Sequence, residues 1–172
     1  MNNKNKRLPG DYIAGFIDGE GCFFLTYRKE TKLSRKGNPT YYRWSASFAM
    51  TLREDDIEIL EKIRDTLECG NVYLLNTKDN RFSGKQAYFG IQNANDLYEK
   101  VKPFFKKYPL RAKKRHDFAL WAEALEIIYS NKKSRRAYSV QDHKILSNFR
   151  NDMRVYKQKS NREYANKPIL LK

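Results

Sequence analysis

The chain has 172 residues, enough for one domain with a buried core, and 40% of them are hydrophobic and 32% charged. With 35 Lys and Arg against 20 Asp and Glu, the net charge of +15 favours polyanions: DNA, RNA or an anionic membrane surface. The two cysteines, Cys22 and Cys69, and the two histidines, His116 and His143, exclude a tetrahedral zinc site on usual spacing and Cys–His catalysis.

The thiols read as ordinary buried or half-buried residues of a reducing compartment. No apolar run reaches the roughly 18–20 residues that span a bilayer, and the polar, basic start has no secretory apolar region.

Asp11–Gly21 is the first predicted helix. Tyr12, Ile13, Phe16 and Ile17 recur at helical spacing, and Pro9 stands where a helix start tolerates it. Ala14, Gly15 and Gly19 leave one side nearly bare, which lets another backbone come close. Asp18 and Glu20 fall where the helix ends and Gly21 terminates it. Carboxylates there face the negative end of the helix dipole at a cost of roughly 0.3–1 kcal/mol each. Two readings stay open: a short buried helix with an acidic exposed end, or a site for Mg2+, which prefers carboxylate and carbonyl oxygens.

Cys22–Lys29 alternates Phe23, Leu25 and Tyr27 against Phe24, Thr26 and Arg28, and Tyr41–Leu52 alternates Tyr42, Trp44, Ala46, Phe48 and Met50 against Arg43, Ser45, Ser47 and Ala49. The two strands form a predicted hairpin joined by a connection carrying Lys32, Arg35 and Lys36. Its second face, with Thr26, Arg28, Arg43, Ser45 and Ser47, either meets water or enters a major groove, where Arg, Ser and Thr read base edges. The loop bases would then lie on phosphates.

Glu54–Leu67 is the clearest helix, with acids in its first turn and a buried stripe of Ile57, Leu60, Ile63 and Leu67. Its acids fall behind the sheet, so charge is segregated by element. Val72–Lys78 and Lys85–Gln92 are strands around the turn-rich Asp79–Gly84, and Tyr73 joins the candidate DNA-binding residues. Asn95 is the expected N-cap of a helix aligned on Leu97, Val101 and Phe105 and disturbed by Pro103. Lys106–Arg115 holds six basic residues and no acid: phosphate contacts or a solvated helix start on one reading, charge stabilisation at a phosphate on the other. A helix with stripe Phe118, Trp121, Leu125 and Ile128 follows, then the basic break Ser130–Arg136. Ser139-x-x-Asp142 is a capping box for a last helix through Ile145, Phe149 and Met153, and Lys157–Lys172 is expected to be loosely held. The order predicts an α+β fold with helices on one face of an antiparallel sheet. The pattern Ile13–Gly21 has no second copy in the chain.

Ile13-Ala14-Gly15-Phe16-Ile17-Asp18-Gly19-Glu20-Gly21 closely resembles the motif of the LAGLIDADG homing endonucleases. The resemblance covers roughly Tyr12 to Ile128 and implies a helix-hairpin-helix-hairpin-helix (αββαββα) core with a saddle-like sheet. A core domain over 8–130 and a basic helical extension over 131–172 follow from it. It implies that Ile13, Ala14, Gly15, Asp18 and Gly19 belong to a homodimer interface in which two motif helices pack side by side. Glu20 is then the metal-binding acid, with the Gly19 carbonyl beside it. Asp18 is mainly structural, and Lys113 is the active-site lysine, with Lys114 as the alternative.

Glu20 stands where Asp is commoner, and Leu52 falls near a position where relatives often carry Gln, with Arg53 as a stand-in. The implied activity is Mg2+-dependent, site-specific cleavage of double-stranded DNA at a long pseudo-palindromic site, leaving short 3′ overhangs. The implied encoding is a mobile intron or intein-like element, and the location intracellular and DNA-associated, in bacterial cytoplasm or an organelle matrix. An RNA-binding maturase on the same fold is the alternative.

Overall fold

The computed structural model describes residues 7–31, 33, 36–75 and 85–154 in full, with the backbone of 155–157. Lys32, Arg35, the turn at 79–84 and the tail beyond 157 lie outside the described residues.

Helix α1 (Gly10–Glu20) leads into β1 (Cys22–Thr31) and β2 (Thr40–Arg53). A short 3-10 turn (Glu54–Asp56) opens α2 (Ile57–Leu67), followed by β3 (Asn71–Leu75) and β4 (Gln86–Ile91). The strands form one antiparallel sheet in the order β1-β2-β4-β3. Register sets its two faces. Phe23 faces Phe48 and Leu25 faces Ala46 on the inner side, while Phe24 faces Ser47, Thr26 faces Ser45 and Arg28 faces Arg43 on the outer side.

The helices pack on the inner side around a core that includes Ile13, Ile17, Phe23, Phe48, Phe89 and Trp121. Leu60, Ile63 and Leu67 of α2 join it, so the acids of α2 stay off the outer face. That arrangement is the helix-hairpin-helix-hairpin-helix order predicted from the sequence.

The third helical segment starts differently from expectation. The Asn93 side chain accepts from the Asn95 N–H at 3.0 Å, so Asn93 rather than Asn95 is the cap. The run then passes from α3 (Ala94–Asp96) through a π-helical stretch (Leu97–Val101) into α4 (Lys102–Lys107). Pro103 lacks a donor and crowds the carbonyl four residues back, and the helix is widened just before it.

Helix α5 (Lys114–Lys133) crosses behind the sheet, and α6 (Val140–Lys157) packs on α5. The capping box closes as the sequence predicts: Asp142 N–H donates to Ser139 Oγ at 3.0 Å and Ser139 N–H to Asp142 Oδ2 at 2.8 Å. Leu146 and Met153 are buried in the same core as the rest, with Ile145 and Phe149 only half-buried. Met153 is thus buried as expected, and Leu146 takes the inward position expected of Ile145. Trp44 Nε1 donates to His143 Nδ1 at 3.0 Å, which ties α6 to the hairpin.

Candidate nucleic-acid interface and cation site

Helix α1 divides differently from the sequence reading. Ile13, Ala14 and Ile17 are buried in the chain's own core, whereas Tyr12 is 48% exposed and stacks on the half-buried Phe16. Ile13 and Ala14 therefore serve the core of this chain and not an open surface. Gly15 and Gly19 are the small residues that remain open: a Cβ built on either meets nothing within 4 Å. With Tyr12 and Phe16 they form one outward stripe at helical spacing.

The end of α1 is fastened to the start of α5. Asp18 Oδ2 accepts the backbone N–H groups of Arg111 at 2.7 Å and Ala112 at 3.1 Å, while its Oδ1 is buried without a hydrogen bond. That tie brings the basic run to the helix end. Lys114 Nζ donates to the Gly19 carbonyl at 2.9 Å. Of the two candidate lysines, Lys114 reaches the end of α1, and Lys113 is exposed at the α5 N-cap. Burial lowers the pKa of Lys114 below the ordinary lysine value, against the opposing pull of Cys22, Asp18, Glu20 and Asp117.

Gly21 makes the turn into β1 tight. A Cβ there would lie 2.5 Å from Ile17 Cγ2 and 3.1 Å from Phe48 Cε2, so only glycine lets the chain pass.

Glu20 is exposed at this end. Its carboxylate and the second lone pair of the Gly19 carbonyl are hard oxygen donors. Among the described residues no group of three or more His, Cys, Asp or Glu gathers. The set fits a hard cation that takes one or two protein oxygens and completes its shell with water and phosphate, as Mg2+ does. It does not fit zinc. Arg53 is engaged elsewhere: its Nε and Nη2 grip Asp55 at 3.0 and 2.9 Å, an ion pair that raises the guanidinium pKa. Leu52 packs against the core.

The outer face of the hairpin carries the expected polar set. Thr26 Oγ1 and Ser45 Oγ are 2.8 Å apart, Ser47 lies opposite Phe24, and Arg28 lies opposite Arg43. Tyr73 is 48% exposed and packs on Tyr88 with centroids 4.9 Å apart, on the β3–β4 part of the same face. Lys36 is exposed in the connecting turn.

A groove of about 1080 Å³ runs over this face, and α5 with the turn after it forms one wall. Lys132, Arg135, Arg136 and Tyr138 line that wall, and the sequence reading assigned none of them to the face. Buried Asn131 holds the wall in place. Its Oδ1 accepts Arg136 Nε at 2.9 Å and its carbonyl accepts the Arg136 N–H at 2.9 Å. Arg135 takes a left-handed φ of 51° in the turn. The only sequence signal was the basic composition of Ser130–Arg136; its approach to β2 is a tertiary fact.

Glu30 is the other unexpected residue, an acid on the basic face. Its Oε1 accepts Arg43 Nε at 2.7 Å and Arg28 Nε at 3.1 Å, and its Oε2 accepts Tyr41 OH at 3.0 Å. Burial alone would raise its pKa, but the bonds from Arg43 and Tyr41 and the two guanidinium charges hold it below the ordinary glutamate value.

A basic groove over a sheet, in a chain that also sets a lysine beside an acidic helix end, is the architecture of a protein that handles nucleic-acid phosphodiesters. Residues 13–125 match the family model described as LAGLIDADG endonuclease, and the chain belongs to that family. It is 29% identical over 113 residues to a probable intron-encoded DNA endonuclease 1 of Mycosarcoma maydis, covering 66% of this chain and 35% of that one. It is 31% identical over 119 residues to an uncharacterized 50.9 kDa protein in ND4 intron 1 of Podospora anserina, covering 68% of this chain and 24% of that one. The chain thus spans about a third or less of the length of these curated relatives.

Among solved structures, I-AabMI bound to uncleaved DNA superposes with a TM-score of 0.57 at 31% identity, over 73% of this chain and 38% of that one. I-SmaMI bound to an uncleaved DNA target with calcium ions gives 0.66 at 24% identity over 90% and 48%. The homing endonuclease I-TnaI gives 0.61 at 22% over 91% and 100%. The last two show the fold alone.

Proposed function

We propose that this chain is one half of a site-specific, divalent-metal-dependent homing endonuclease that cleaves double-stranded DNA. The observation that carries the reading is the tie through Asp18, which sets Lys114 beside the motif helix end where Glu20 and the Gly19 carbonyl offer oxygens. The DNA-bound I-AabMI structure and the intron-encoded relatives support DNA as partner and a mobile intron as the source.

The duplex lies in the groove. Thr26, Arg28, Arg43, Ser45, Ser47 and Tyr73 face its bases or backbone, and Lys132, Arg135 and Arg136 approach phosphates from the wall. Lys36, exposed in the turn between β1 and β2, extends the same contact. Glu20 and the Gly19 carbonyl hold a divalent cation, with Mg2+ as the physiological ion. Bound there, the cation supplies charge neutralisation at the scissile phosphate and a water of lowered pKa. Lys114 adds a fixed positive charge for the developing phosphorane oxygens. Arg53, held in its ion pair with Asp55, is the weaker catalytic candidate.

The open stripe Tyr12, Gly15, Phe16 and Gly19 packs against its equivalent in a second copy, so two half-sites and two acids meet over a pseudo-palindrome and leave short 3′ overhangs. The test is Glu20→Gln on a duplex that the wild-type chain binds selectively: cleavage with Mg2+ is lost and specific binding is retained. Cleavage at the wild-type rate would refute the cation assignment. An RNA maturase without cleavage is the second reading, and a wild-type chain that promotes intron splicing but never nicks its DNA target would establish it.

A further inference from the structure

Glu30 is an anion on the basic outer face of the hairpin. A face that binds a polyanion gains nothing from an anionic side chain, and this one bonds two arginines of that face. Arg28 and Arg43 stand directly opposite each other on β1 and β2, an arrangement of like charges that is unfavourable across a ladder. Glu30, two residues along the same face, relieves it by accepting Nε of both on one oxygen. Tyr41, its own cross-strand partner, holds the other oxygen at 3.0 Å. Glu30 is the least exposed of the three charges, at 23% against 53% for Arg28 and 47% for Arg43.

The choice of Nε matters. A guanidinium has five N–H donors in a planar fork, and a bond through Nε occupies its side while leaving the two terminal nitrogens at the tip. Those two terminal groups match O6 and N7 of guanine in the major groove. A flexible arginine with the same tip free would instead settle on the nearest phosphate, where sequence carries no weight.

We propose that Glu30 is a positioning residue for base recognition: with Tyr41 it orients Arg28 and Arg43 so that their terminal nitrogens read guanines in the bound duplex. The inference rests on the reading of this face as the duplex-binding surface. Glu30 gives up some general attraction for phosphate and gains sequence discrimination. Its carboxylate also lowers the charge of the cluster from two positive to one, which weakens binding to unrelated DNA.

The test is selection from a randomised duplex library by the wild-type chain, Glu30→Gln and Tyr41→Phe, with binding to an unrelated duplex followed across salt. The wild type selects guanines at two positions. In Glu30→Gln the preference there falls about tenfold or more, the worth of one bidentate contact. Unrelated DNA is bound more tightly, with a salt slope steeper by about one to two, because the released arginines move to phosphates. Tyr41→Phe moves both quantities the same way by less.

A Glu30→Gln variant with an unchanged selected motif overturns the proposal. So does a parallel loss of specific and unrelated binding, which marks Glu30 as support for the strand alone. A melting curve for each variant separates unfolding from either result, and Tyr41→Phe carries the test if Glu30→Gln does not fold. If the wild-type chain binds no duplex selectively, the reading of the face itself fails, and this proposal with it.

Discussion

Asp18→Asn tests whether the contact between α1 and the basic run holds the site together. The carboxylate accepts two backbone N–H groups, at 2.7 and 3.1 Å. Hydrogen bonds to a charged group contribute roughly 1.5–3 kcal/mol, against about 0.5–1.5 for neutral pairs. Asp18 is half-buried, so the low end of each range applies and each bond weakens by about 1 kcal/mol in the amide. Removing a negative charge from the C-terminal end of a helix offsets this by roughly 0.3–1 kcal/mol. The net loss is about 1–2 kcal/mol, a melting temperature lower by roughly 2–8 °C for a chain of this size.

The functional effect is larger than the thermal one. With the turn at Arg111–Ala112 loosened, Lys114 no longer keeps its 2.9 Å contact with the Gly19 carbonyl. A displacement of about 1 Å in a positioned group costs on the order of a hundredfold in rate. Single-turnover cleavage of a selected duplex should therefore slow by roughly ten- to a hundredfold, while its dissociation constant stays within about twofold. A variant that melts and cleaves like the wild type would show that Asp18 does not hold the lysine in place.

Three further outcomes are expected. His143→Phe leaves the buried Trp44 indole N–H without its acceptor, costs about 1–3 kcal/mol in urea denaturation, and fails as a prediction if the midpoint is unmoved. Gly21→Ala forces a Cβ against Ile17 and Phe48, and overpacking of that kind costs roughly 1–3 kcal/mol; unchanged stability would mean the turn relaxes freely. Arg135→Ala reduces the slope of log affinity against log salt by about one and weakens all duplexes alike, and an unaltered slope would remove the wall from the phosphate contacts.

The helix caps also carry a pH dependence. Hydrogen bonds from the Ser139 backbone and side chain, with lesser help from Asn131 and the charge of Arg136, hold Asp142 below its ordinary aspartate value. Its contribution to α6 is therefore complete above the unfolded-state pKa, about 3.9, and disappears as pH falls through the lower folded value. Acid melting curves of the wild type and Asp142→Asn should differ above that window and converge below it.

Local chemistry was legible in the sequence. Two-residue alternation marked β1 and β2 and even the face to which Thr26, Arg28, Arg43, Ser45 and Ser47 belong, because a pleated strand sends neighbours to opposite sides. The capping box at Ser139 and Asp142 was likewise written in four residues. What spacing could not resolve was which side of α1 faces inward. Ile13, Ala14, Gly15 and Phe16 offer small and large residues on overlapping arcs, and the sheet beneath them decides that Ala14 is covered and Gly15 is open.

The same limit explains Lys113 against Lys114. Adjacent helical positions lie about 100° apart, so only the angle at which α5 leaves the Asp18 tie selects the lysine that reaches Gly19. Glu30 and the wall from Lys132 to Arg136 are decided further still by chain packing. An acid two residues from one arginine and thirteen from another, or a basic turn laid along a strand nearly a hundred residues away, acquires meaning only when the fold brings the parts together.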